Sequence, residues 1–367
     1  MMFSTKKILL LTGSMNQTTQ MHEIAKHLSE FDCWFSQVYS DSQVFDFLLH
    51  HSGILNRTIL GNESRKLSEE YCRSHGLKID YGAKANYYNL VICCTDLIVP
   101  QKIRDTKTVW VQEGMIDKYT IKSRIVRLLG LPPWLCGNTS LNGSTDRCDI
   151  YCVASEGYRA LLGERGTHPY KIFVTGMPNH DHVSKFKNNS FPHRDYVMVA
   201  TSDMRETGRY ENRVAFIKKT VQIAGGRRLL FKVHPNEDYQ RAYKEILAYT
   251  PADTLIFKYG DVNEMIANSQ ELITQYSTLA FTGMNLGKKV HSYFDLDELN
   301  QLLPVQNYGS SAANIANICR NYLELDLMSD QSHELLKKAR IKYLNKLIGN
   351  IYSFIILNYR VLFYLLE

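Results

Sequence analysis

The eight cysteines of this chain include no Cys-x-x-Cys pair, Gly and Pro number only 21 and 9 in 367 residues, and no apolar run reaches transmembrane length. Each absence closes a class. Without closely paired cysteines a zinc ribbon or finger has no ligand set, so Cys33, Cys72, Cys93, Cys94, Cys136, Cys148, Cys152 and Cys319 read as buried reduced thiols and no metal is expected. So little Gly and Pro, beside 44% hydrophobic and 22% charged residues, excludes collagen-like, low-complexity and disordered chains. The charge-free part of the C-terminal apolar stretch, Leu347 to Tyr359, makes about 20 Å of helix against a hydrocarbon core of about 30 Å. Near the start, Met1 to Lys7 resembles a basic signal head, but the apolar run Ile8 to Leu11 stops at Thr12-Gly13-Ser14, so a cytoplasmic protein is expected. A net charge of +6 is too mild over this length to imply a nucleic-acid partner. It suits an anionic small molecule or an anionic membrane surface.

What the sequence does hold is a rhythm. Short Val/Ile/Leu-rich runs ending in Gly, Ser, Thr or Asp alternate with amphipathic segments of helix length. Lys7 to Thr12, Asn89 to Thr95, Thr108 to Gln112, Asp149 to Ser155 and Lys171 to Thr175 form a first series. Tyr196 to Thr201, Arg228 to Val233, Thr254 to Lys258, Glu271 to Thr274 and Lys289 to Tyr293 form a second. Continuous apolar runs mark parallel strands covered on both faces, and the alternation marks βαβ units. The expected class is therefore α/β, with two doubly wound, Rossmann-like domains, in keeping with roughly 150 residues per domain. Gly176 and Pro178, followed by the polar stretch Ser184 to Arg194, place the boundary: residues 1–184, residues 185–330, and a C-terminal helical segment over residues 331–367.

Two stretches break the rhythm. Met115 to Arg147 opens with a basic amphipathic segment, Lys118, Lys122, Arg124 and Arg127 among Ile121, Ile125, Val126, Leu128 and Leu129. The C-terminus runs from Lys337-Lys338-Ala339-Arg340-Ile341-Lys342 into Leu347 to Leu366. A basic segment leading into aliphatic residues can lie on an anionic membrane or pack back on the protein.

In open α/β sheets ligands bind at the carboxyl ends of strands, so chemistry is sought there. Gly13-Ser14, followed by Asn16 and Thr18, reads as a turn feeding a capped helix, able to approach a ligand closely, although no Gly-x-Gly-x-x-Gly spacing accompanies it. Glu113 follows Val109-Trp110-Val111-Gln112 and precedes Gly114. A carboxylate desolvated there has its pKa raised toward the range of a general base, whereas pairing with Lys118 or capping the next helix would leave it structural. His234-Pro235 ends another run, where an imidazole can donate to a phosphate oxygen. Ser277-Thr278 opens the segment Leu279 to Leu286, and two hydroxyls with free backbone N–H groups suit a phosphate. Arg205 is placed either to clamp a diphosphate or to pair with Glu206 or Asp203. Tyr259, Gly260 and Val262 lie in a loop able to set backbone groups against a nucleobase and ribose. Asp295-Leu296-Asp297 reads as a surface coincidence.

Taken together these residues resemble the GT-B superfamily of nucleotide-sugar enzymes over roughly residues 6–330. Gln112-Glu113-Gly114, His234-Pro235 and Ser277-Thr278 look like the acidic-acidic-Gly, His-Pro and Ser-Ser/Thr motifs of bacterial sialyltransferases and Kdo transferases, with Gln112 departing from the first acidic position. Glu113-Gly114, Val174 to Pro178 and Arg205-Glu206 through Glu211-Asn212 are similar to UDP-N-acetylglucosamine 2-epimerases, with Met204 in place of that family's His. The resemblance implies two domains facing a cleft. It also implies an inverting, metal-independent glycosyltransferase that needs no cofactor and uses a CMP- or UDP-sugar to extend a cell-envelope polysaccharide or glycolipid, at the inner face of the cell membrane. Glu113 and His234 would be catalytic, Ser277, Thr278 and Arg205 would hold donor phosphates, and Gly13, Ser14 and Asn16 would line the acceptor side. The second branch implies a nucleotide-sugar epimerase.

Overall fold

The structure, a computed structural model, describes residues 5–40, 62–100, 103, 105–206 and 209–324. The expected C-terminal segment, with Leu347 to Tyr359, lies outside the described residues. In chain order the elements are β1 (Lys7–Thr12), α1 (Met15–Lys26), β2 (Asp32–Gln37), α2 (Asn62–Ser74), β3 (Leu90–Cys93), β4 (Lys107–Val111), α3 (Ile121–Leu128), β5 (Ile150–Val153), α4 (Glu156–Glu164) and β6 (Ile172–Val174). There follow β7 (Val197–Ala200), α5 (Arg213–Ala224), β8 (Leu229–Lys232), α6 (Tyr239–Leu247), β9 (Leu255–Phe257), α7 (Val262–Asn268), β10 (Glu271–Thr274), α8 (Leu279–Asn285), β11 (Lys289–His291), α9 (Leu296–Gln301) and α10 (Ser311–Glu324).

The strands form two sheets, ordered β2-β1-β3-β4-β5-β6 and β11-β10-β7-β8-β9, and every pairing in both is parallel. Both series of apolar runs are therefore strands of doubly wound sheets, as their Val/Ile/Leu content requires. The change of sheet falls between Val174 and Val197. The runs missed β2. Its sequence, Asp-Cys-Trp-Phe-Ser-Gln, buries only Phe35 and Ser36 because it sits at a sheet edge, and an edge strand needs no continuous apolar run.

Up to Asn317 the described residues form one compact unit. One apolar cluster runs from Leu9, Val91 and Trp110 of the first sheet to Met198, Leu230 and Leu272 of the second, and the rings of Tyr158 and Phe281 meet edge to face within it. After the second sheet the chain returns to the first half. Val305 N–H donates to Ala154 O at 2.9 Å, Ser155 Oγ–H to Leu302 O at 3.1 Å and Asn307 Nδ2 to Thr175 O at 2.8 Å. Asp181, in the stretch between the sheets, accepts from Tyr308 N through its carbonyl and from Ser311 N through its buried carboxylate. That stretch is thus a built part of the unit.

The closest approach in this return is at Gly157, in the first turn of α4, where a Cβ would lie 2.0 Å from the Gln301 carbonyl oxygen. Gly163, later in the same helix, faces open space. Gly157→Ala should lower the thermal midpoint by several degrees. Gly163→Ala should leave it unchanged or raise it, by about 0.5 kcal/mol of helix entropy. Thermal denaturation of the two variants side by side checks this, and equal midpoints would show that the return segment yields at no cost.

Candidate functional site

The first half of the site is built on the end of β4. Gln112, buried, ties three elements together: its backbone N–H donates to Cys152 O at 2.9 Å, its Oε1 accepts from Ala154 N at 2.9 Å, and its Nε2 donates to Gly114 O at 2.9 Å. Its carbonyl accepts from Gln20 Nε2 of α1 at 3.0 Å. An acidic residue here could accept from Ala154 but could not donate to Gly114 O, which accounts for the amide in that position.

With the loop so fixed, Glu113 turns toward the start of α1. Its Oε1 accepts from Ser14 Oγ at 3.1 Å and its Oε2 from Gln17 Nε2 at 2.7 Å. Ser14 is also the N-cap of α1, its oxygen accepting from Gln17 N at 3.2 Å. Burial pushes the Glu113 carboxyl above the ordinary carboxylate range, and the donors Gln17 and Ser14 draw it part of the way back. Neither alternative role holds: Glu113 caps no helix, and Lys118 pairs with Glu298 instead. Gly13 is buried behind Ser14, and the Asn16 carbonyl accepts from Asn179 Nδ2 at 3.0 Å. Asp96, at the end of β3, is buried and spoken for, accepting from Gly143 N, Thr145 N, Thr145 Oγ1 and Tyr151 OH.

The two sheets meet next to Glu113. A Cβ on Gly114 would stand 3.7 Å from Thr278 Cγ2, an ordinary packing distance, so the β4 loop lies against the start of α8. Ser277 Oγ accepts from Leu279 N at 3.3 Å, while the Thr278 side chain makes no capping bond. Ser277 closes a local turn onto the first helical residue, and neither hydroxyl caps α8.

His234 follows β8, and its backbone N–H donates to Thr201 Oγ1 at 3.0 Å and Glu237 Oε2 at 3.2 Å. Its Nδ1 accepts from Asn236 N at 3.2 Å, which leaves the proton of the neutral ring on Nε2. Burial lowers its pKa, opposed by Asp203, whose Oδ2 lies 3.8 Å from Nδ1. Beneath it Lys232, its pKa lowered by burial, donates to Val233 O at 3.1 Å and to Lys258 O at 2.9 Å, joining the His-Pro turn to the loop after β9. In that loop Tyr259 is exposed, with the Lys258 ammonium 5.2 Å from its ring centre. Gly260 has φ +104° with Met265 Cε where a Cβ would go, and Val262 begins α7 behind the Asp261 cap.

Arg205 pairs with neither Glu206 nor Asp203. Its guanidinium grips Glu245 through two bonds of 2.8 and 2.7 Å and lies 3.1 Å from Glu211. Glu211 also lies 3.1 Å from Arg213 and accepts from Gln275 at 2.6 Å, and Arg213 bonds the buried Glu237 that fixes His234. The chain Arg205, Glu211, Arg213, Glu237 thus runs from the loop after β7 to the His-Pro turn, with a branch to Gln275 just before Ser277.

The structural parts of Gln17, Gln20, Arg213 and Glu237 were not foreseen. Gln17 and Gln20 carried a signal: with Met21 and Ile24 they make one buried face of α1, and amides on such a face require partners. Asp295 caps α9 through Asp297 N and Glu298 N, so Asp-Leu-Asp is a helix start. Among the described residues no group of three or more His, Cys, Asp or Glu is placed to hold a metal ion.

No family model and no curated protein matches the sequence. Solved structures do match. S. aureus MnaA in complex with UDP superposes with a TM-score of 0.53 at 13% identity, covering 87% of this chain and 97% of that one. The UDP-GlcNAc 2-epimerase from Neisseria meningitidis bound to UDP-GlcNAc gives 0.52 at 12% identity, covering 86% and 100%. The chain has the GT-B fold. The epimerase from Methanocaldococcus jannaschii gives 0.50 at 11%, covering 86% and 99%. At such identities the likeness is one of fold.

A carboxyl raised by burial has a stability signature. Its folded-state pKa lies above the unfolded value, so its contribution is fully present below the ordinary carboxylate pKa and is lost as pH rises through the raised one. Glu113→Gln, which keeps the shape without the charge, should therefore be more heat-stable than the parent at pH 7.5 and no more stable at pH 4. Melting curves across that range check it. An equal difference at both ends would mean that Glu113 is not strained by burial.

Proposed function

We propose that this GT-B chain is an inverting, metal-independent glycosyltransferase that moves a sugar from a CMP- or UDP-activated donor to a cell-envelope polysaccharide or glycolipid. The observation that carries this reading is Glu113, a carboxyl raised by burial at the end of β4, oriented by Ser14 and Gln17, next to the Gly114–Thr278 contact between the two sheets. In the ionised form Glu113 takes the proton of an acceptor hydroxyl lying toward Ser14 and Asn16. The freed oxygen attacks the anomeric carbon on the face opposite the nucleotide, the C–O bond to the phosphate breaks, and the configuration inverts. His234, neutral with its proton on Nε2, donates to the departing phosphate, and the Ser277 and Thr278 hydroxyls add to it. Arg205, its two terminal nitrogens engaged by Glu245 and its Nε 3.1 Å from Glu211, serves as a positioning residue behind the phosphates. Tyr259, Gly260 and Val262 border the nucleoside. With a lipid-linked acceptor the reaction takes place at the inner face of the membrane.

A second reading, nucleotide-sugar 2-epimerisation, is favoured by the UDP and UDP-GlcNAc complexes among the structures that share the fold. Removing and returning a proton on opposite faces needs a second well-placed acid or base. The side chains of Asp96, Glu211 and Glu237 are buried as well as hydrogen-bonded, whereas Glu113 keeps part of its surface open.

A thermal-shift titration with CMP, UDP and GDP should single out one nucleotide, the midpoint climbing with concentration above its Kd. With the corresponding labelled sugar, Glu113→Gln should lower transfer about 10²–10⁴-fold and His234→Ala by a similar order, both proteins remaining folded. Near-normal transfer by both variants would end the mechanism. Conversion of UDP-N-acetylglucosamine without acceptor would establish the second reading instead, and no response to any nucleotide would point to a catalytically inert binding subunit.

A further inference from the structure

The segment between Glu113 and β5 contains a helix whose outer face is apolar and, among the described residues, uncovered. In α3 the side chains of Ser123 and Val126 point inward, Val126 resting on a small cluster with Cys136 and Leu141. Ile121 and Leu128 are 79% and 74% exposed, and Ile125, Leu129 and Leu131 are exposed with them. At 3.6 residues per turn Ile121, Ile125, Leu128 and Leu129 share one stripe opposite the buried side. Scattered exposed apolar residues need no explanation, but four along one helix stripe do.

The borders of the stripe are all of one sign. Lys122 lies on one flank, Arg124 and Arg127 on the other, all three exposed, and from Lys118 to Leu131 there is no Asp or Glu. Arg127 donates to Tyr119 OH at 2.8 Å, which holds its guanidinium beside the stripe.

We infer that this face of α3 docks on an anionic lipid surface, the apolar stripe entering the headgroup boundary while Lys122, Arg124 and Arg127 meet lipid phosphates. Charge and pattern select that occupant. A nucleic acid would leave the apolar stripe in water. A second copy of the chain would set basic flanks against basic flanks. An anionic bilayer satisfies both parts of the face at once, as in-plane amphipathic helices do. The inference deepens the transferase reading by bringing a lipid-borne acceptor to the segment that carries Glu113, but its physical basis is separate.

The experiment is co-sedimentation of the full chain with vesicles of phosphatidylcholine alone or with 30% phosphatidylglycerol. The parent should bind the anionic vesicles, and binding should weaken as salt rises. Ile121→Glu/Leu128→Glu and Lys122→Glu/Arg124→Glu, all at exposed positions, should each weaken binding about tenfold or more. Nucleotide-induced thermal shifts should stay at parental values. Parental binding by both variants, equal binding to neutral vesicles, or a concentration-dependent dimer that Leu128→Glu dissociates in the absence of vesicle binding would overturn the inference. A chain that binds vesicles through this face yet transfers no sugar would keep it and lose the transferase reading.

Discussion

The first half of the candidate site depends on one buried amide. Parallel strands end with peptide groups that the sheet no longer satisfies, and at the end of β4 the Gln112 side chain takes up two of them, Ala154 N–H and Gly114 C=O. It can do so only because an amide both donates and accepts. The backbone carbonyl of the same residue is closed by Gln20, so α1, β4 and the start of α4 are locked around one point. Glu113 inherits its direction from that lock. A carboxylate in a half-buried loop would ordinarily turn to water or to a lysine; here it is aimed at Ser14 and Gln17, and its desolvation is what raises its pKa.

The second half is organised by charge. Arg213 and Glu237 are both buried, and removing two ions from water costs as much as their pairing returns, so the pair is a poor source of stability. Burial raises the Glu237 carboxyl even with Arg213 beside it. What the pair does provide is position. Glu237 accepts from Thr201 and from the His234 backbone N–H, and the remaining Nδ1 bond to Asn236 sets the ring's tautomer. A neutral imidazole with a fixed Nε2 proton is a donor at any pH where the ring stays neutral, and burial widens that range by lowering its pKa.

The fold was legible because parallel sheets write themselves plainly. Ten of the eleven strands among the described residues stood out as apolar runs, and the exception, β2, is an edge strand with one covered side chain in three. Strand-end residues were legible for the same reason: a ligand site in such a sheet has a fixed address, and Glu113, His234 and Ser277-Thr278 all stand at it. Partners were not legible. Nothing in the order of residues ties Arg205 to Glu245, forty positions away on α6, or brings Gln17 and Gln20 to the end of β4. Such contacts arise from how helices lie on the sheets, and the local sequence carries only the weaker statement that a buried amide or guanidinium has a partner somewhere.

The placement of α3 joins the two scales. A loop that leaves a strand end beside a base could return directly to β5, yet here it extends into a helix that buries only Ser123 and Val126. Folding gains little from such a helix, since most of a helix's stability comes from its covered face. The exposed Ile121 and Leu128 are carried at the expense of solubility. The small cluster beneath, with Thr120 and Ser123 closing a capping box, holds the helix in register without hiding its stripe. A segment so anchored is rigid on the inside and unsatisfied on the outside. Because it begins eight residues after Glu113, whatever surface satisfies the stripe is set at a fixed distance from the candidate base.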